Sequence, residues 1–174
     1  MRLYDVTIEV IDESDNVVQS LYNGGTVGVS LSMSFNENNL PRGRYVKITR
    51  GGSVSEFMNF AEVEVYGNHM PSAHPSISFI PSYQPSNNPS SNPSFLPSSK
   101  PSAIPSSNAL ENIALNKPAS LSSEYSPNTY STSGATNGDT DGVMNQDPYW
   151  NGIHTNSEIN PWWKVDLEGN KYDF

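Results

Sequence analysis

The sequence predicts an all-β protein built from short antiparallel strands. Apolar and polar residues alternate with a period of two in several stretches, which is the pattern of strands with one buried face. Most of the polarity comes from Ser, Asn, Gly and Pro, which favour turns between such strands. No stretch has the periodicity of a helix of four turns.

Composition restricts the possible partners. The chain has 174 residues, of which 34% are hydrophobic, so we expect a small core. A net charge of −9 argues against nucleic acid, because a phosphate-binding surface needs a basic patch. No apolar run approaches the roughly 18 residues that span a bilayer, so direct membrane insertion is not expected. The absence of cysteine excludes disulfides and zinc-thiolate sites.

Residues 1–69 are predicted to form three or four strands of an antiparallel sheet. Alternation runs from Val6 to Val10, again from Tyr45 to Thr49, and a third time from Phe60 to Gly67. Asn23-Gly24-Gly25 predicts a turn. A sheet fragment of this size buries little apolar surface by itself and would be marginally stable.

Residues 70–108 are predicted to be a disordered linker. Proline recurs at every fourth position from Pro81 to Pro105, and serine follows each of these prolines. Regular proline prevents both helix and sheet, so we expect an extended polyproline-II spacer that reaches on the order of 110 Å. A Pro-rich recognition site or a Ser-glycosylated stalk is the alternative. The repeat resembles Pro-Ser spacers of secreted and cell-surface proteins.

Residues 109–174 are predicted to contain a strand at Trp162–Leu167 and the start of another at 171–174. Side chains alternate across a strand, so Trp162 and Trp163 should face opposite sides, one of them in the core. The pairs Tyr149-Trp150 and Trp162-Trp163 could form a stacking surface for the apolar face of a sugar. The alternative is that one tryptophan of the second pair lies in the core and the other packs under a loop or at the rim.

Two short segments carry candidate binding chemistry. Asn137, Asp139 and Asp141 alternate with glycine and threonine, and their oxygens could converge on calcium, which prefers six to eight oxygen ligands. A hairpin made by Asn-Gly and Asp-Gly turns is the alternative. His154 could donate a hydrogen bond to a sugar hydroxyl, or could cap a turn. We find no catalytic motif and expect no enzyme activity.

Residues 112–174 resemble the first half of a fucolectin/tachylectin-4/pentraxin-1 domain, the F-type lectins. The resemblance is carried by Asn112-Ile-Ala-Leu-Asn-Lys-Pro-Ala119, by Asn151-Gly-Ile-His-Thr-Asn156 and by Asn160-Pro-Trp-Trp-Lys-Val-Asp-Leu167. Residues 1–68 are similar to the second half of the same domain. The resemblance implies a jelly-roll β-sandwich that binds fucose-type sugars and one structural calcium.

The same resemblance implies the site residues. His154 and Arg2 would bind the sugar, and the family's remaining arginine would lie outside this chain. Calcium would be held by the carbonyl of Gly134, by Asn137, Asp139 and Asn151, and by Glu62. The chain departs from the family in having Gly134 in place of asparagine, Gly152 in place of cysteine, and Asn137 and Asp139 in reversed order.

The function predicted from the sequence is calcium-assisted binding of fucosylated glycans by a non-catalytic lectin module, secreted or at the cell surface. We expect any secretion signal to lie upstream of Met1. Tandem copies or oligomers would bind multivalently. The alternatives are a structural or adhesion protein with degenerate lectin-like domains, or a carbohydrate-binding module of a larger enzyme. We expect the two halves to belong to neighbouring domain copies; pairing within one chain, as in a circular permutant, is the second possibility.

Overall fold

A computed structural model describes residues 3–36, 38–69, 110–127, 130–140, 151–168 and 172–173. The predicted linker at 70–108 lies outside these residues, as do Arg2, Asp141 and the pair Tyr149-Trp150. The two described segments, on either side of the linker, belong to one compact unit.

The described residues of this unit contain eleven short strands and one 3₁₀ turn. The strands are β1 (Tyr4–Ile11), β2 (Val17–Thr26), β3 (Arg42–Gly43), β4 (Tyr45–Arg50), β5 (Asn59–Phe60), β6 (Tyr66–His69), β7 (Glu111–Asn112), β8 (Ala119–Leu121), β9 (Ile153–His154), β10 (Trp162–Asp166) and β11 (Tyr172–Asp173), and the 3₁₀ turn is Gly134–Thr136. Every strand pair in the described part of the chain is antiparallel. The predicted all-β, antiparallel class is confirmed, while the jelly-roll topology stays a prediction.

The largest sheet is built by both segments. Its order is β2-β1-β4-β10-β8, so β4 of the first segment lies beside β10 of the second. In their register Ile48 is opposite Trp163 and Val46 is opposite Val165. The segment before the linker and the segment after it therefore pair with each other within one chain.

Two smaller sheets also join the segments. One has four strands in the order β3-β11-β6-β7, and the other is the ribbon β5-β9, which pairs Asn59 with His154. An isolated bridge joins Glu56 to Glu158 near this ribbon. These contacts place the histidine turn of the second segment beside residues 56–60 of the first.

The core follows the predicted alternation. Along β4 every second residue is buried, and along β10 Trp163 and Val165 are buried while Trp162 and Lys164 are half-buried. The prediction that the two tryptophans face opposite sides is confirmed. The buried cluster draws on both segments and consists of Val6, Val27, Val46, Ile48, Met58, Ile113, Ala114, Ala135, Ile153, Trp163, Val165 and Leu167.

The turn predicted at Asn23-Gly24-Gly25 is wrong. These residues lie within β2, and the register of β1 and β2 shifts between Tyr4 and Val6, opposite them. Gly25 has φ 83°, and its N–H donates to the Asp5 carboxylate at 3.0 Å, so the glycines form a bulge. The hairpin turn lies earlier, where Asp12 Oδ1 accepts the N–H of Asn16 at 2.9 Å.

The single strand predicted over Phe60–Gly67 is also wrong. Strands occur only at its two ends, β5 and β6. Between them the backbone bonds to the second segment: Val63 N–H donates to the Ala135 carbonyl at 2.8 Å, and Val65 N–H to Asn112 Oδ1 at 3.1 Å. The chain is extended as the alternation predicts, but its partners are a loop and a side chain.

An ion pair joins the segments at the end of the large sheet. Arg44 donates to both carboxylate oxygens of Asp166, from Nε at 2.8 Å and from Nη2 at 2.7 Å. The hydrogen bonds from Arg44 lower the pKa of Asp166. Within the described residues, no helix is long and apolar enough to cross a membrane.

Candidate functional site

The loop that contains the candidate calcium ligands is fixed to the core. Its 3₁₀ turn is buried, and the Thr136 hydroxyl donates to the Lys117 carbonyl at 2.9 Å. The Thr136 carbonyl in turn accepts the N–H of Asn116 at 2.6 Å. One turn earlier, the indole N–H of Trp163 donates to the Thr132 carbonyl at 3.1 Å. The loop is therefore anchored both to the buried sheet face and to the segment that precedes β8.

Two glycines let this loop pack directly on the histidine turn. A Cβ placed on Gly134 would lie closer than 3.0 Å to the Gly152 carbonyl oxygen, a separation that real Cβ atoms essentially never show. Gly152 has φ 124°, and a Cβ built on it would be equally close to the Phe60 carbonyl oxygen. Glycine at both positions thus has a local reason, because a side chain at either position would separate three backbone segments.

Glu62 reaches this loop from the first segment. Its Oε1 accepts the N–H of Gly138 at 3.1 Å, and its Oε2 is buried without a hydrogen-bond partner. Burial raises the pKa of Glu62; hydrogen bonds from the backbone of Gly138 and Asn137 oppose this rise, and the carboxylates of Glu64 and Asp139 add to it. An orphaned, desolvated carboxylate oxygen is an unfavourable arrangement that a bound cation would relieve.

Hydrogen bonds join Asp139 both to Asn137 and to Asn151. Asn137 Oδ1 accepts the N–H of Asp139 at 2.8 Å, which is an Asx turn. Asn151 Nδ2 donates to Asp139 Oδ2. The four side chains predicted to bind calcium are therefore linked by short contacts to one loop, although Glu62 comes from the other segment.

The chemistry of this set fits a hard cation. Calcium prefers carboxylate, amide and backbone carbonyl oxygens, and these are the groups that Glu62, Asp139, Asn137, Asn151 and Gly134 carry. In the described part of the chain, no cluster of three or more His, Cys, Asp or Glu side chains could hold a metal. The set has only two carboxylates, so the coordination of calcium would depend on its amide and carbonyl oxygens. The unpartnered Glu62 Oε2 supports the fit most directly.

His154 lies three residues beyond Asn151 and is held by backbone pairing. The N–H of Thr155 donates to the Met58 carbonyl at 3.0 Å, and the Thr155 hydroxyl accepts the Met58 N–H at 2.9 Å. His154 Nδ1 lies 2.8 Å from the Thr155 carbonyl oxygen. A carbonyl oxygen only accepts, so Nδ1 carries the hydrogen and Nε2 is the ring atom left to meet a ligand.

Three aromatic rings surround the imidazole of His154. The ring centroids of Tyr125, Tyr130 and Phe57 lie 4.7, 5.2 and 5.2 Å from it. His154 is half-buried, whereas Tyr125 keeps 54% of its surface exposed. The cluster offers an apolar face beside a polar nitrogen, a combination that suits a small ligand with both apolar and hydroxyl-bearing surfaces.

Sequence reasoning missed these three rings. Tyr125 and Tyr130 lie in a turn-rich stretch with no periodicity, and Phe57 belongs to the other segment, so no local pattern identifies them. Among the predicted stacking groups, Trp163 is fully buried and Trp162 lies on the outer face of the large sheet. Arg2 lies outside the described residues, so its placement near His154 stays a prediction.

Comparison with known proteins identifies no relative: no family model, no curated protein and no solved structure matches this chain.

Proposed function

We propose that this protein binds carbohydrate without catalysis, as an F-type-lectin-like jelly-roll module whose loops are fixed by calcium. Its ligands would be fucosylated glycans. The protein would be secreted or located at the cell surface. The single observation that supports this most strongly is the convergence of Glu62, from the first segment, on the loop of Asn137 and Asp139, next to the turn that carries His154.

Calcium has a structural role in this proposal. Glu62, Asn137, Asp139, Asn151 and the Gly134 carbonyl would hold the ion, which supplies positive charge to a site with two carboxylates. Because Gly134 packs on Gly152, two residues before His154, order in the loop is transmitted to the histidine turn by direct backbone contact. Calcium would therefore affect sugar binding without touching the sugar.

The sugar would bind at the cluster of His154, Tyr125, Tyr130 and Phe57. Nε2 of His154 is available for a hydrogen bond to a hydroxyl or ring oxygen, since Nδ1 is already engaged. The exposed ring of Tyr125 would pack against the sugar's apolar face. Arg2, which the resemblance places in this site, would add a charge-assisted donor.

Calorimetric titration with L-fucose tests the sugar site. We expect saturable binding in calcium that is lost in His154→Ala and weakened about tenfold in Tyr125→Ala, because each removes one part of the contact. Tyr22→Ala is the matched control, since Tyr22 is a tyrosine on β2 with 66% of its surface exposed and lies outside the cluster. It should bind fucose as the unaltered protein does.

Thermal unfolding with calcium or with a chelator tests the ion. At a calcium concentration about 100 times the Kd, we expect stabilisation of about 2.7 kcal/mol relative to the chelated protein. If calcium raises the melting temperature but no fucosylated glycan binds, the calcium site is supported and the sugar site is not. The protein would then have the structural or adhesion role instead. If neither effect is seen, the proposal fails.

A further inference from the structure

The outer face of the large sheet contains a cleft with charged and aromatic walls. The cleft has a volume of about 310 Å³ and is lined by Glu9, Ile11, Asp15, Val17, Lys47, Trp162 and Lys164. This volume is at the lower end of the roughly 300–1,000 Å³ typical of small-molecule sites. The cleft is formed by both segments, since β1 and β4 come from the first and β10 from the second.

Two lysines lie side by side in this cleft. Lys47 on β4 is directly opposite Lys164 on β10. Like charges at directly opposed positions of an antiparallel pair destabilise a sheet. The protein has nine basic residues and a net charge of −9, yet it places these two side by side. On its other side Lys47 is directly opposite Glu9, which offsets part of the repulsion, and the pairing with Lys164 is the feature that a binding site would explain.

The acids near these lysines lie at ion-pair distance. Lys47 Nζ is 3.4 Å from Glu9 and Lys164 Nζ is 3.9 Å from Asp15, a residue in the exposed turn between β1 and β2. Lys164 Nζ also lies 4.9 Å from the centroid of the Tyr45 ring. By contrast, Lys117 Nζ lies 2.8 Å from Glu168 and makes a hydrogen bond. Each ammonium has three donors, so these contacts leave hydrogens that an anion in the cleft can accept.

Trp162 supplies an aromatic surface in the same cleft. Its indole is half-buried, and Lys47 Nζ lies 5.8 Å from the ring centroid. Trp162 neighbours the row of Lys47 and Lys164 along both strands, because it pairs with Thr49. An apolar face beside two ammonium groups matches a sugar ring that carries a negative charge. The carboxylates of Glu9 and Asp15 can accept hydrogen bonds from its hydroxyls.

We infer that this cleft is a second saccharide site, specific for a sugar that carries a carboxylate or a sulfate. The ring stacks on Trp162, and the anionic group lies between Lys47 and Lys164. The inference does not depend on the fucose site, because it uses none of the residues around His154. It gives the protein two sugar-binding surfaces with different charge requirements.

The test compares D-galacturonate with D-galactose, which differ by the carboxylate, using calorimetry and tryptophan fluorescence. We expect galacturonate to bind at least about tenfold more tightly than galactose, because a hydrogen bond to a charged group adds this much or more. The affinity should fall as salt is added, because both ammonium groups are partly exposed. Equal affinity for the two sugars, or no binding of galacturonate, would overturn the inference.

Variants assign the binding to this cleft. Lys164→Gln should weaken galacturonate binding about tenfold and Trp162→Ala should abolish it, while Lys117→Gln is the matched control and should have no effect. Thermal unfolding shows whether each variant is folded, and Lys164→Gln should remain folded since it removes a like-charge contact. Loss of galacturonate binding in His154→Ala would place the ligand in the other site and contradict the inference, whatever the outcome with fucose.

Discussion

Replacing Gly134 by alanine should separate the calcium loop from the histidine turn. The added Cβ would lie closer than 3.0 Å to the Gly152 carbonyl oxygen, and 3.0 and 3.1 Å from the Gly152 carbonyl carbon and nitrogen. All three are backbone atoms, so no flexible side chain can move away. Gly152 is itself packed closely against the first segment, because a Cβ built on it would lie just 2.9 Å from Ala61 Cα. It therefore has little room to move away from residue 134.

The loss of folding stability in Gly134→Ala follows from this geometry. Inserting one carbon into a packed site typically costs about 1–3 kcal/mol, and a site bounded by backbone on two sides should reach the upper end, about 3 kcal/mol. For a unit of this size that corresponds to a fall in melting temperature of roughly 10 °C. Since the strain falls between the loop and the turn, fucose affinity and the response to calcium should fall as well.

Gly28→Ala is the matched control for this prediction. A Cβ on Gly28 meets no atom within 4 Å, so alanine there should be neutral or stabilise by up to about 1 kcal/mol through the unfolded chain. Thermal unfolding of the two variants and of the unaltered protein is the assay. Equal stability of Gly134→Ala and Gly28→Ala would refute the claim that the loop and the turn are in backbone contact.

Three further predictions concern single contacts. Glu62→Gln should leave the chelated protein folded and abolish the rise in melting temperature on adding calcium; an undiminished rise would exclude Glu62 as a ligand. Asp166→Asn should lower the melting temperature by an amount that depends on pH. Arg44 lowers the pKa of Asp166 below its unfolded value of about 3.9. The Arg44–Asp166 pair therefore contributes fully to the free energy of unfolding above about pH 5. This contribution is lost as the pH falls through the pKa of Asp166 in the folded protein. The difference in melting temperature between Asp166→Asn and the unaltered protein should therefore disappear in acid. A difference that acid does not change would contradict this role of the ion pair. Trp163→Ala should cost about 3–5 kcal/mol in a urea titration, because the indole is fully buried and bonded to Thr132; a cost below 1 kcal/mol, roughly that of a surface change, would contradict its place in the core.

The strands were predictable because burial on one face imposes a period of two. This holds for Val6–Val10, for Tyr45–Thr49 and for the opposed tryptophans of β10. The register could not be predicted, because it depends on partners far along the chain. The bulge at Gly25 illustrates this, since the carboxylate of Asp5, twenty residues earlier, fixes it.

The candidate site was partly predictable. Asn137-Gly138 indicates turn chemistry, the alternative given for this loop, and an Asx turn is present there. The aromatic surroundings of His154 depend on Phe57, 97 residues before it, and on two tyrosines in a loop without pattern. Only the pairing of the two segments brings Phe57 to the other three rings, and no local signal encodes that pairing.

An NMR titration of the isotopically labelled protein with L-fucose in calcium tests the central claim most directly. We expect the largest shifts at the His154 imidazole and the Tyr125 ring, with weaker shifts when a chelator replaces calcium. Shifts confined to residues outside the His154 cluster, or no shifts at saturating sugar, would contradict a saccharide site assembled there from both segments of the chain.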